Sequence, residues 1–394
     1  MKNLLNPLAG IVGIVGVAVF VFMVLRVFSL TMQVSNTGAV ETPTLEIQIS
    51  PTSTAQWNVN RVEIVAVQEV SSSSELLANR GTQLLDPKFS PDGEKILWVR
   101  YTGEFIPCSP GNEKCFHARS DLVLYSLQDQ GWSTLAKNAT EANWSPNGKR
   151  VSYLAQKASG KYDLAWIDVK TQVAATLVKD VAFTAANWVG NNDLIFSDTQ
   201  GNLNRVDING KVNRSVTDIL AMRRVPGPGA FTVSPDGDLA AVVKGNDVWL
   251  VSLAKNQSKV ELGLPADYLQ YSNLIHGLRW SSKGSYLAMI ASDNSILVYD
   301  RKGHLQRQLV VEGERATFMA WSPDEQSIAV IRQARTESGT DYAVTLLGVS
   351  DAATKNVFVS SSRKQTLDWS PLGRVIAVGQ DDQKPPILAE IKSR

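Results

Sequence analysis

The chain has 394 residues, 44% of them hydrophobic, so it can bury a large core, and its 39 basic against 38 acidic side chains leave it almost neutral. With no polybasic tract, that balance excludes the electrostatic footprint of a nucleic-acid binder. The three histidines, His117, His276 and His304, are each isolated, so no metal site and no cofactor is expected.

In chain order, residues 1–7 read as a short tail and residues 8–30 as a membrane anchor. From Leu8 to Leu25 runs "LAGIVGIVGVAVFVFMVL", eighteen uncharged residues, or about 27 Å of helix, which nearly spans a bilayer core. A cleaved signal peptide is the competing reading. Its apolar region would be shorter and followed by a small-residue cleavage site, whereas here the apolar character resumes after Arg26 with "VFSL". Residues 31–58 are rich in Ser, Thr and Pro and poor in charge, the composition of a tether. The expectation is a single-pass protein of the cell membrane, through residues 8–25, with everything from residue 59 to 394 folded on the extracytoplasmic side.

The folded part carries one turn over and over: "SPDG" at 90–93, "SPNG" at 145–148, "SPDG" at 234–237, "SSKG" at 281–284, "SPDE" at 322–325 and "SPLG" at 370–373. Proline presets φ for the second position of a type I turn, aspartate suits the third, and glycine accepts the left-handed residue that follows. Each turn leads into a short apolar run: "KILWV" from Lys95, "RVSYLA" from Arg150, "DLAAVV" from Asp238, "SYLAMIA" from Ser285, "SIAVI" from Ser327 and "RVIAVG" from Arg374. A second run follows in most units, such as "DLVLYSL" from Asp121 and "DVWLVSL" from Asp247. These predict strands. Asp92, Asp236 and Asp324 are read as bonding the turn backbone and not as calcium ligands.

A large apolar residue precedes each turn: Phe89, Trp144, Trp188, Val233, Trp280, Trp321 and Trp369, at successive spacings of 55, 44, 45, 47, 41 and 48. Trp188 is followed by "VGNND", a degenerate copy. An all-β repeat with a period in the forties predicts a seven-bladed β-propeller with four antiparallel strands per blade. The last unit has room for only three strands, so "RVEIVAV" (61–67) is expected to supply its outer strand and close the ring. These seven turn-bearing units resemble the WD-repeat-like propeller of the TolB type, over roughly residues 60–394. The resemblance implies the fold and leaves the activity open, because this superfold serves binding modules and enzymes alike.

Cys108 and Cys115 share the loop "PCSPGNEKC" of the stretched first unit. A disulfide suits an oxidising compartment; two free thiols, or a metal site with His117, are the alternatives. The sequons at Asn138, Asn213 and Asn256 are short enough to arise by chance. No catalytic motif is recognisable in the chain.

One constellation remains. The residues immediately before the anchors are Lys88, Asn143, Asn187, Thr232, Arg279, Ala320 and Asp368, six of seven polar. Strand alternation points them away from the anchors, toward the central channel, as a candidate binding ring. The alternative is that they satisfy one another and trapped water. The function expected is a non-catalytic scaffold that binds a protein or an envelope polymer, of unspecified oligomeric state. The alternative is a lyase or hydrolase at the channel mouth, with Lys88, Arg279 and Asp368 as its charged groups.

Overall fold

The computed structural model describes residues 56–394 apart from 71–72, 74–75, 78–80, 108–115, 200–201, 214–230, 245–246, 254–258, 263–276, 292, 312–314, 338, 382–383 and 394. The expected anchor and both cysteines lie outside the described residues. Among the described residues, no helix is long and apolar enough to cross a membrane.

The strands fall into seven four-stranded antiparallel sheets. After β1 (Val62–Glu69), blade 1 comprises β2 (Thr82–Phe89), β3 (Lys95–Pro107), β4 (Phe116–Ser126) and β5 (Trp132–Ala136). Blade 2 is β6 (Ala139–Trp144), β7 (Arg150–Gln156), β8 (Tyr162–Asp168) and β9 (Ala174–Val181). Blade 3 is β10 (Asn187–Val189), β11 (Asp193–Ser197), β12 (Leu203–Asp207) and β13 (Val212–Asn213). Blade 4 is β14 (Phe231–Val233), β15 (Leu239–Lys244), β16 (Asp247–Ser252) and β17 (Lys259–Glu261). Blade 5 is β18 (Leu278–Trp280), β19 (Tyr286–Ile290), β20 (Ile296–Asp300) and β21 (Leu305–Leu309). Blade 6 is β22 (Arg315–Trp321), β23 (Ser327–Thr336), β24 (Gly339–Gly348) and β25 (Thr354–Ser360). Blade 7 takes β26 (Lys364–Trp369), β27 (Val375–Gln380) and β28 (Ile387–Ser393) from the end of the chain, and β1 from its beginning.

The closure expected of "RVEIVAV" is thus observed. β1 runs antiparallel to β28 from Val62 opposite Ser393 to Glu69 opposite Ile387, with a bulge between Ile64 and Ala66. The outer strands of the other blades mix polar with apolar residues and are largely exposed, as in β21 ("LQRQL"), so no apolar periodicity announced them. The 55-residue spacing is explained by the β3–β4 hairpin, which continues past the sheet to pair Pro107 with Phe116.

The apolar runs are apolar on both sides because blades pack face to face. In β19, Leu287 and Met289 join Leu250 and Ala241 of blade 4 in one buried cluster. Ala288, between them, turns the other way toward Met319 and Ile328 of blade 6. A buried cluster of this kind lies at each of the seven blade boundaries. Burying one such Leu or Ile side chain contributes about 1.5–3 kcal/mol, so the interfaces between blades dominate the stability.

The turn motif acts inside this frame as a small polar clasp. Ser90 Oγ donates to Asp92 Oδ1 at 2.5 Å and accepts from Lys95 N at 2.9 Å, while Glu94 N donates to the same carboxylate oxygen. The turns at Ser234 and Ser322 repeat this bonding with Asp236 and Asp324. The aspartates therefore bond the turn backbone, as the sequence suggested. Glycine closes the motif for two reasons: Gly93 has φ +74°, and an added Cβ would fall 2.8 Å from Leu372 Cγ of the neighbouring turn.

Candidate functional site

In every blade the inner strand descends to the turn, so the residue before each anchor is held at one level of the channel wall. The tryptophan anchors tie these levels together. Trp144 Nε1 donates to the Lys88 carbonyl at 2.9 Å, Trp188 Nε1 to that of Asn143 at 3.0 Å, Trp280 Nε1 to that of Thr232 at 3.3 Å, and Trp321 Nε1 to that of Arg279 at 3.2 Å. Each indole thus reaches the ring residue of the preceding blade. Where the anchor has no indole, the ring side chain takes over. Asp368 Oδ2 accepts from Phe89 N at 2.8 Å, and Asn187 Oδ1 accepts from Val233 N at 3.4 Å.

The remaining ring side chains bond along the wall. Lys88 Nζ donates to the Ala142 carbonyl and to Asn143 Oδ1, both at 2.6 Å, and Asn143 Nδ2 donates to the Ala186 carbonyl at 2.8 Å. Asn187 Nδ2 donates to the Ala185 carbonyl at 3.2 Å. Arg279 is held differently: its guanidinium stacks on the Phe318 ring, 5.0 Å from the centroid. Ala320 is buried. The structure therefore links Lys88, Asn143 and Asn187 into a connected wall and leaves Arg279 outside it.

Two further charged residues belong to this cluster and were not anticipated. Asp86 and Glu141 each sit two positions before a ring residue, at bulges of β2 and β6, with φ of +52° and +49°. The signal was present in "LLDPKF" and "ATEANW" only as a carboxylate within a short inner strand, two positions before the ring residue. The Asp86 N–H donates to Thr366 Oγ1 at 2.9 Å, which binds blade 1 to blade 7.

Walls enclose these charges on all sides while each keeps a partly accessible surface on the lumen. Burial pushes Glu141 up to about 7; Asp86 adds to the rise, and Lys88, Arg279 and the Ala185 backbone oppose it. Burial likewise lifts Asp368 to about 6, against the pull of the Phe89 N–H and of Arg279. Lys88 is lowered by burial and then by Arg279, and Arg279 itself is lowered by burial. The channel thus presents two cations and three carboxyl groups whose charges act on one another across blades 1, 2, 5 and 7. His304, by contrast, is exposed in an outer turn beside Asp300, at 3.2 Å.

The fold has a counterpart among solved structures. The chain is similar to the Cps50 (Swd1) β-propeller domain of Myceliophteria thermophila, with a TM-score of 0.57 and 13% identity over 83% of this chain and 99% of that one. At that identity the likeness is one of fold alone, that of a β-propeller; the count of seven blades rests on the sheets of this chain itself. No family model and no curated protein matches the chain.

Proposed function

We propose that the protein is a non-catalytic scaffold, a TolB-like propeller held at the cell membrane through residues 8–25 on the extracytoplasmic side, which binds a protein partner through its rim. The observation that supports a structural channel and a binding exterior is the use of the ring itself. Lys88, Asn143, Asn187 and Asp368 spend their hydrogen bonds on neighbouring blades, so they brace the wall. A rigid closed ring of this kind presents loops and outer strands in fixed positions, which is what partner recognition without large rearrangement requires. The test is capture from native membranes with the detergent-solubilised full chain. One stoichiometric protein, retained equally by the Lys88→Met variant, is expected. Recovery of glycan alone would replace the protein partner with an envelope polymer.

The anchor is tested separately. The mature chain should keep its first residues; an amino terminus beyond residue 30 would identify residues 8–25 as a cleaved signal.

An enzymatic reading has one observation in its favour. Glu141, raised to about 7, is poised for proton transfer near neutrality, with Lys88 beside it. A hydrolytic or lyase turnover abolished by Glu141→Gln would establish that reading over the scaffold.

A further inference from the structure

Arg279 is the one charged ring residue that the wall does not use. Its carbonyl accepts from Trp321 and its guanidinium lies on Phe318. Its five donors make no hydrogen bond or ion pair with any described residue. Yet Asp368, Asp86 and Glu141 are near enough to act on it electrostatically. A guanidinium surrounded by protein, stacked and oriented but unpaired, is a group prepared for an external acceptor, because its planar fork matches a carboxylate in two parallel bonds. Across the lumen the complementary group is also present. Asp86 and Glu141, held side by side by two equivalent bulges, are carboxylates with Lys88 as their near cation, and the Lys88 ammonium already gives two of its three donors to wall oxygens.

This arrangement discriminates by charge. A plain anion placed on Arg279 meets three carboxyl groups, and a plain cation placed near Asp86 and Glu141 meets Arg279 and Lys88. A ligand carrying both signs a few bonds apart satisfies both walls. We propose that the central channel binds a small zwitterion, a free amino acid or short peptide, with its carboxylate on the Arg279 guanidinium and its ammonium facing Asp86 and Glu141. This site is separate from the rim surface of the scaffold reading, and loss of either leaves the other intact.

The experiment is calorimetric titration of the full chain at pH 7 with glycine and with diglycine, alongside acetate alone and methylammonium alone. Saturable binding of at least one zwitterion is expected, at least tenfold tighter than either single-charge probe. Arg279→Met, which keeps the contact with Phe318 but not the fork, should weaken it tenfold or more, and Arg279→Lys should restore only part. Binding should also release protons at pH 7, read from its dependence on buffer ionisation enthalpy, because an ammonium beside Glu141 favours its ionised form. Glu141→Gln should abolish that release. Should Arg279→Met fail to give the native melting transition, the wild-type probe series and the Glu141→Gln proton count decide the matter. No binding of either zwitterion, equal binding of acetate, or a proton count unchanged by Glu141→Gln would overturn the proposal.

Discussion

At the scale of single residues, two departures from the repeated turn explain each other. In "SSKG" the third position is Lys283, which has no carboxylate for Ser281, and in "SPDE" the fourth is Glu325 where the other turns have glycine. The Glu325 Oε1 accepts from Ser281 Oγ at 2.5 Å and from Lys283 N at 2.8 Å, replacing across the blade boundary the aspartate that blade 5 lacks. Burial pushes the Glu325 carboxyl up, but the bonds from Ser281, Ser285 and the Lys283 backbone outweigh it and hold the group below its ordinary range. The fourth position still demands positive φ, and Glu325 adopts +65°. Hydrogen bonds to a charged group contribute about 1.5–3 kcal/mol, so Glu325→Ala should destabilise the protein by about 2 kcal/mol in denaturant titration. Adding Lys283→Asp, which returns the carboxylate to its own turn, should recover about half of that or more. A double-mutant cycle with no coupling would show that the two departures are unrelated.

At the scale of elements, the seam between the ends of the chain is stronger than the pairing of β1 with β28 alone. Trp57, which the sequence assigned to the spacer, is 4% exposed and packs edge-on to Trp369 at 6.2 Å. Its amide donates to Asp324 Oδ2 at 2.6 Å, and its carbonyl accepts from Ser327 Oγ. Gly373 makes room for the ring, since an added Cβ would lie 2.1 Å from Trp57 Cε2. Trp369 bonds the Gly373 carbonyl of its own turn, where the anchors Trp144, Trp188, Trp280 and Trp321 reach back one blade. A Trp→Ala change at a buried site costs about 3–5 kcal/mol, and Trp57→Ala should lower the melting temperature measurably while leaving a folded ring. A fragment beginning at Ser71 loses Trp57 and β1 together, and exposes the β28 edge. It should aggregate or unfold without cooperativity, whereas one beginning at Trp57 should melt like the full chain; equal melting of the two fragments would refute the seam.

This seam also marks where sequence reading succeeds and stops. Blade number, anchors and closure were legible because each depends on a local pattern: a turn with its own chemistry, a run apolar on both faces, an orphan strand at one end. Alternation singled out Lys88, Asn143, Asn187, Thr232, Arg279 and Asp368 as one set, and the side chains of Lys88, Asn143, Asn187 and Asp368 bond to the neighbouring blade. Asp86 and Glu141 were missed because a bulge, which no periodicity encodes, carries them into the channel. Trp57 was missed because its surroundings are polar and its contacts lie more than 260 positions away. Partners that distant leave no trace in a local window.

At the scale of the whole molecule, the channel charges couple four blades, and their titration bears on the ring as a whole. Asp368 bonds the Phe89 N–H across the boundary where the last blade meets the first, and Glu141 lies one blade further on. Both have folded values raised above their ordinary ones of 3.8 and 4.5, to about 6 and about 7. Below the unfolded values both states are protonated and this contribution to stability is complete. Between those values and the folded ones the native state holds protons that the unfolded chain has released, so stability falls as pH rises, until both are ionised above about pH 7. The carboxylates held below their usual range, Asp236 and Glu325 among them, act in the opposite sense only under more acid conditions. A tenfold difference in proton affinity between the folded and unfolded chain corresponds to about 1.4 kcal/mol before screening by lumen water. The protein should therefore melt a few degrees higher at pH 5 than at pH 8. Glu141→Gln should flatten most of that slope and raise the melting temperature at pH 8. Asp368→Asn, which keeps an oxygen for the Phe89 N–H, should flatten the part near pH 6 without opening the seam. A wild-type melting temperature that stays level or climbs from pH 5 to pH 8, or a Glu141→Gln variant with the wild-type slope, would show that the channel carboxyls are not the groups that set it.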